Sequence, residues 1–271
     1  MGNKRPVFNR SRLLVGDVVM QRLEDIKVII FGVGGVGSWC AESLVRSGVC
    51  HLTIVDSDKV CVTNVNRQMM ATTHTIGMVK VEALKDRLLE INPEADIRSV
   101  QAIYSEEAAA QFCLNDFDYV IDAIDSLKDK VALIEHATRS NCKFFSSMGA
   151  ALKIDPLEVK VAEFRNVRGC PLARALRNKF KKLKRWPAKK FLCVYSEELL
   201  SNKGSASYCG TDKCLCPKAE RGVGDPSLEN HEWCSSKAQI NGSLMHITAI
   251  FGLTISGLII KDIYKNTPVN T

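Results

Sequence analysis

Three glycines at fixed spacing, Gly32, Gly34 and Gly37 in the run GVGGVG, are the first residues placed to do chemistry. Such a loop permits a tight turn and brings backbone N–H groups against phosphate at a helix N-terminus. Asp56 closes the next apolar run, where a carboxylate can accept hydrogen bonds from ribose hydroxyls. Asn64, Arg67 and Gln68 follow in DSDKVCVTNVNRQ, and Lys80 comes shortly after. The glycine fingerprint by itself fits an NAD-dependent oxidoreductase as well as any other nucleotide enzyme. Two cations beyond it favour a triphosphate, because negative charge accumulates there during attack at phosphorus. Asp122 and Asp125 end a further apolar run. Asp125 lies past the run and is the candidate ligand for Mg²⁺ bridging phosphates, whereas Asp122, inside it, reads as structural or as a helix cap.

Two more clusters carry chemistry. Cys209, Cys214, Cys216 and Cys234 have the spacing C-x4-C-x-C…C, with His231 nearby. Zinc sites favour paired C-x2-C turns, so a structural zinc and a cysteine-rich loop both stay open, as does a reactive thiol at Cys234. From Asn166 to Lys190 the chain carries ten cations and no acid, more than the whole-chain surplus of +7. The candidates for gripping nucleic acid are Arg174, Arg177, Lys181, Lys182, Lys184 and Arg185, with Phe180 and Trp186 able to stack on bases. A solvated helix and an anionic lipid surface are the alternatives for this stretch.

The elements that must position these residues alternate between strand and helix. Apolar runs at 27–31, 49–55, 97–104, 118–124 and 142–146 read as strands, separated by helical spacing at 38–46, 79–91, 108–114 and 130–139. That order predicts an α/β, Rossmann-like, doubly wound and mainly parallel sheet, with ligands at the C-terminal ends of its strands. In the second half, strands are expected at 157–164 and 191–195 and a basic helix at 171–183. A long loop follows at 201–236, then a last helix at 239–264 rich in small residues. No internal repeat and no clear linker divide the chain.

Taken in order, GVGGVGS, DSDKVCVTNVNRQ, GMVKVEA and VIDAIDS resemble the ubiquitin-activating-enzyme-like adenylation family. The resemblance implies one adenylation domain over 1–271. Its nucleotide-binding core is 1–150, its basic and cysteine-rich substrate-side segment 151–236, and its C-terminal helix 237–271. It implies ATP and Mg²⁺ as cofactors, Asp56 on ribose, Arg67 and Lys80 on phosphates, and Asp125 on the metal. It also implies a homodimer in which an N-terminal arginine, Arg10 or else Arg12, enters the partner's site. VIDAIDSLKDKVALI, GAALKIDPLEVKVAEF, CPLARALRNKFKKLK and CVYSEE resemble the tRNA-modifying branch, which uses ATP to cyclise threonylcarbamoyladenosine beside the anticodon. That branch has a functional cysteine before its last helix, for which Cys234 is the nearest candidate. It usually has an acid where Cys170 stands. The alternative within the family is adenylation of the C-terminus of a ubiquitin-like or sulfur-carrier protein, with such a carrier or a sulfur-transfer protein as partner. A non-enzymatic RNA-binding module is the remaining reading.

Composition agrees with a folded, soluble chain. Its 271 residues can bury a core, and its charged fraction of 25% is ordinary. MGNKRPVF lacks the apolar stretch of a secretory signal, and Ile247–Ile260 is too short to span a bilayer. With eleven cysteines and no export signal, a reduced, cytoplasmic protein is expected.

Overall fold

The run KVIIF, apolar and β-branched, pairs on both sides and becomes an inner strand of a seven-stranded sheet. A computed structural model of the chain describes residues 6–204 and 241–268. Its elements are α1 (Asn9–Val15), α2 (Asp17–Asp25), β1 (Lys27–Phe31), α3 (Gly37–Arg46), β2 (His51–Val55), α4 (Lys80–Ile91) and β3 (Asp96–Val100). They continue as β4 (Tyr119–Asp122), α5 (Leu127–Arg139), β5 (Lys143–Ser147), β6 (Val159–Glu163), α6 (Pro171–Leu183), β7 (Leu192–Ser196) and α7 (Met245–Asn266). The strand order is β3-β2-β1-β4-β5-β7-β6. All neighbours are parallel except β6, which returns antiparallel on β7. The expected doubly wound sheet is therefore present, and the strands of the second half extend it.

Both faces of the sheet are covered, as a parallel sheet requires. On one side α2, α3, α4 and α7 pack over Val28, Ile30, Leu52 and Ile54. On the other, α5 and α6 close over an aromatic cluster that includes Phe31, Tyr104, Phe112 and Phe164. The strand order switches direction of winding between the parallel neighbours β1 and β4, so their C-terminal ends open a crevice.

Several sequence expectations shift. The N-terminal segment forms two helices, and Val19, Met20 and Leu23 of α2 bury one side. Residues 108–114 form short 3₁₀ turns, because Cys113 adopts a left-handed φ of 41° that no helix continues. The last helix starts at Met245, since Leu244 is extended and Gly242 is held by Asn202 (N to Oδ1, 2.9 Å). At 22 residues α7 is long and apolar enough to cross a membrane, but half of it is buried against the body of the protein. It is a core helix.

The seating of α7 on α3 explains its small residues. A Cβ at Gly252 would lie 2.4 Å from the Val36 carbonyl oxygen and 2.8 Å from the Cys40 nitrogen, both backbone atoms that cannot yield. Ser256 donates to Ser43 (Oγ to Oγ, 2.7 Å) one turn further. Gly257, on the exposed side, meets nothing within 4 Å. Gly252→Ala is expected to lower unfolding free energy by about 1–3 kcal/mol. Gly257→Ala should raise it by about 0.5–1 kcal/mol, because helical glycine carries excess chain entropy. Urea unfolding of both variants measures the contrast, and equal effects would contradict this packing.

Candidate functional site

The glycine loop leaves β1 through Gly32, whose φ of 84° places it in the left-handed region. Its N–H donates to the Val55 carbonyl at 2.8 Å, and a Cβ there would come within 2.7 Å of the Ala123 carbonyl oxygen. Gly37, the first residue of α3, approaches the loop's own start so closely that a Cβ would sit 1.9 Å from the Gly32 oxygen. Only glycine fits either position. The N–H groups of Gly34, Gly35 and Val36 have no acceptor among the described residues and surround the positive end of α3. Donors so arranged can cradle a phosphate.

Asp56 fastens the loop to the end of β2. One carboxylate oxygen accepts from the Val33 N–H at 2.8 Å and the other from the Asp58 N–H at 2.9 Å. Lys80, the first residue of α4, is buried and lies 2.7 Å from Asp58 and 3.9 Å from Asp56. Burial opposes its charge, yet Asp56, Asp58 and Asp125 outweigh that effect and hold its pKa above the usual value. The ammonium is therefore permanently charged at neutral pH. Burial pushes the Asp56 carboxyl up, with Lys80 pulling against it.

Arg67 completes the cationic side. Its guanidinium donates to the Thr63 carbonyl (2.8 Å) and to Asn66 Oδ1 (2.9 Å). Burial lowers its pKa, and the field of Asp125 acts in the opposite direction. Asp125 thus acts on both Arg67 and Lys80, although 45 and more residues separate them in the chain. Asn64 spends its Oδ1 on the Cys61 N–H at 2.9 Å and shapes the turn that carries Arg67.

The two aspartates after β4 differ as their environments require. Asp122 is fully buried, ion-paired to the equally buried Lys130 at 2.8 Å, and accepts from Ser146 and the Ile124 N–H. Lys130 also donates to the Ile124 carbonyl at 2.9 Å. This pair shapes the turn 123–125 from below, which leaves Asp125 exposed at the strand end. Among the described residues no group of three or more metal-ligating side chains occurs. A single carboxylate beside a phosphate cradle nonetheless suits Mg²⁺, which usually takes one or two carboxylates and completes its shell with phosphates and water.

Other predicted residues are placed apart. Arg10 is exposed on α1 without an ion pair among the described residues, while Arg12 is engaged by Asp17 at 2.9 Å. Cys209, Cys214, Cys216, Cys234 and His231 lie outside the described residues. On α6 and its C-cap, Arg174, Lys181, Lys182 and Lys184 face solvent. Arg177 instead donates to the Phe164 carbonyl and lies over its ring, and Arg185 bridges Glu106 and Glu135. Phe180 is wholly buried, which corrects its reading as a stacking residue: its spacing on α6 puts it on the apolar face.

Ser38 and Trp39 carry no role in the sequence reading, and Gln68 is named there without one. Ser38 donates to the Gly34 carbonyl (2.6 Å) and accepts from the Met69 N–H, and Trp39 Nε1 donates to the Arg67 carbonyl at 2.9 Å. These bonds strap the Arg67–Met69 segment onto the glycine loop. Gln68, between them, is buried with its amide beside Gly34, and its Oε1 has no hydrogen-bond partner. Ser38 is flagged by following the third glycine. The strap joins segments about 30 apart in sequence and leaves no local signal.

A profile of the ThiF family matches residues 8–269. The chain is 40% identical over 175 residues to the tRNA threonylcarbamoyladenosine dehydratase of Bacillus subtilis (strain 168), covering 65% of this chain and 69% of that protein. It is 33% identical over 253 residues to the enzyme of that name from Escherichia coli (strain K12), covering 92% and 90%. A molybdopterin-synthase adenylyltransferase from the same strain is 31% identical over 175 residues, covering 64% and 68%. Crystal structures of the E. coli dehydratase with AMP and with ATP superpose with TM-scores of 0.79 and 0.78 at 29% identity, over 96% of this chain and 95% of theirs.

An orphaned buried oxygen at a nucleotide site is costly without a ligand donor. Gln68→Leu is therefore expected to leave thermal stability equal or higher while weakening ATP binding by about 0.5–1.5 kcal/mol. Calorimetric titration with ATP, run beside a melting curve, tests this; unchanged ATP affinity would return Gln68 to a packing role.

Proposed function

The chain belongs to the ThiF family, and we propose that it is an ATP-dependent enzyme that dehydrates threonylcarbamoyladenosine in tRNA to its cyclic form through an acyl-adenylate. The observation that carries this is the meeting of Arg67, Lys80 and Asp125 beside an open phosphate cradle. It occurs in a chain whose relatives over nine-tenths of its length are dehydratases of this kind. The molybdopterin-type alternative has support over a smaller share of the chain.

The chemistry follows from the charges. A carboxylate is a poor acyl donor until one of its oxygens becomes a good leaving group. The carboxylate of the threonylcarbamoyl side chain attacks the α-phosphorus of ATP, and pyrophosphate leaves. Lys80, fixed and charged, and Arg67 face the negative charge that grows on the phosphates. Asp125 would hold Mg²⁺, which when bound adds further charge neutralisation. The ureido group then attacks the acyl carbon, loses its proton and expels AMP, which carries away the substrate oxygen. The ring closes with net loss of water.

We further read the chain as one adenylation domain that works in the cytoplasm as a homodimer. Leu13 and Leu14 stand 87% and 81% exposed on α1 beside Arg10. Apolar residues so placed suit burial against a second copy, which would carry Arg10 to the neighbouring site. The described cysteines are all free thiols, in keeping with a reducing compartment. A carrier or sulfur-transfer protein remains an additional partner to test.

Incubation with ATP, Mg²⁺ and tRNA bearing threonylcarbamoyladenosine should yield AMP, with a nucleoside lighter by one water by mass spectrometry. ATP turnover that requires a small carrier protein instead of tRNA would overturn the assignment. For the dimer, Arg10→Ala and Asp125→Asn should each be inactive alone, whereas mixing them should restore activity through heterodimers with one intact site. No recovery on mixing, with dimers present by light scattering, would place Arg10 outside the partner's site.

A further inference from the structure

The basic stretch divides into cations that the fold uses and cations that it leaves alone. Arg185 is held by Glu106 and Glu135, and Lys189 donates to the Ser140 and Cys142 carbonyls at 2.5 and 2.6 Å. These contacts staple the segment after α6 to the end of α5. Lys181, Lys182, Lys184 and Lys190 point outward, and none has an ion pair among the described residues. Between them Trp186 stays 42% exposed, with the Arg165 guanidinium over its ring at 5.6 Å from the centroid.

Lys184 occupies a conspicuous conformation. It ends α6 with φ 52° and ψ 27°, the left-handed helix stop where glycine is usual because it carries no Cβ. A lysine is strained there. The strain gains the fold no ion pair among the described residues, and it leaves an extra charge beside Lys181 and Lys182.

Position adds the second argument. α6 starts at the nucleotide-binding edge, where Leu172 packs by Gly149 just past the end of β5. It ends at the opposite edge, where the Ala188 N–H reaches Thr138 in the last turn of α5. Thirteen helical residues separate the two ends by roughly 20 Å. A free nucleotide in the site cannot reach the outward lysines, whereas a folded RNA can touch both edges.

We propose that the C-terminal turn of α6, built on Lys181, Lys182, Lys184 and Trp186, is a second RNA-docking surface that grips tRNA on the edge opposite the nucleotide site. This rests on the tRNA reading above and assigns where the body of the tRNA is held. The lysines meet backbone phosphates, and the Arg165-backed indole offers a face to an unpaired base.

The decisive variant is Lys184→Gly, which removes the charge and relieves the strain together. Its melting temperature should equal or exceed that of the parent, while tRNA binding weakens several-fold. The slope of log Kd against log salt should fall by about 0.7–0.9. Trp186→Ala should weaken tRNA binding by about 5- to 100-fold, with the KM for ATP unchanged. Fluorescence anisotropy with labelled tRNA over a salt series reads these effects. If the parent protein binds tRNA and both variants bind it equally well, the docking surface is refuted while the tRNA reading stands. If the parent itself binds no tRNA, the functional reading fails as well. Loss of binding to phosphatidylserine vesicles with tRNA affinity untouched would make the patch a membrane contact and overturn the proposal.

Discussion

Everything at the nucleotide edge depends on how closely the backbone of α3 approaches the end of β1. The Gly37 Cα faces the Gly32 carbonyl at a distance that excludes any side chain. That approach aims the free N–H groups of the loop at one point and sets α3 where α7 can lie along it. Gly252 repeats the same device one layer out, against Val36 and Cys40. The first turn of α7 then reaches the loop itself, because Thr248 sits against Gly35. A bulkier residue at any of these places would displace the helix, and the donors with it.

Two ion pairs, each with a buried lysine, flank this loop and serve different ends. Asp122 and Lys130 are closed off from solvent, and each finds a further hydrogen bond to the Ile124 backbone in the turn before α5, with Ser146 of β5 donating to Asp122 as well. Such a pair adds little net stability, but losing either partner leaves an uncompensated charge. It therefore specifies one conformation of the turn that presents Asp125. Lys80 is paired less completely, with Asp58 near and Asp56 more distant, and it faces the crevice. Its charge is maintained by carboxylates. The first pair builds the frame; the second holds the cation that the proposed reaction would use.

The strap from Arg67 to Met69 links these parts. Ser38 and Trp39, the two residues after the third glycine, hold it by their side chains. Asn66 extends the connection to the Ser243 carbonyl just ahead of α7 (3.0 Å). The glycine loop and the chain entering α7 are thus joined through one short segment.

The sequence by itself determined the architecture and most of the nucleotide edge. Period and punctuation mark strands and helices locally, and GVGGVG marks the turn from β1 into α3, while Asp56, Arg67, Lys80 and Asp125 stand out through their order and spacing as a family resemblance. It also marked α6 to the residue, since its apolar spacing and Pro171 are local signals. The tertiary structure alone decided which charges are free. Arg177 and Lys182 look alike along the chain, but one is held by Phe164 and the other has no ion pair among the described residues, because their partners come from other elements. It likewise decided that Phe180 is core, that Asp122 serves the frame while Asp125 faces the crevice, and that Gln68 reaches the glycine loop. Those outcomes depend on contacts between segments far apart in sequence, and no local pattern encodes them.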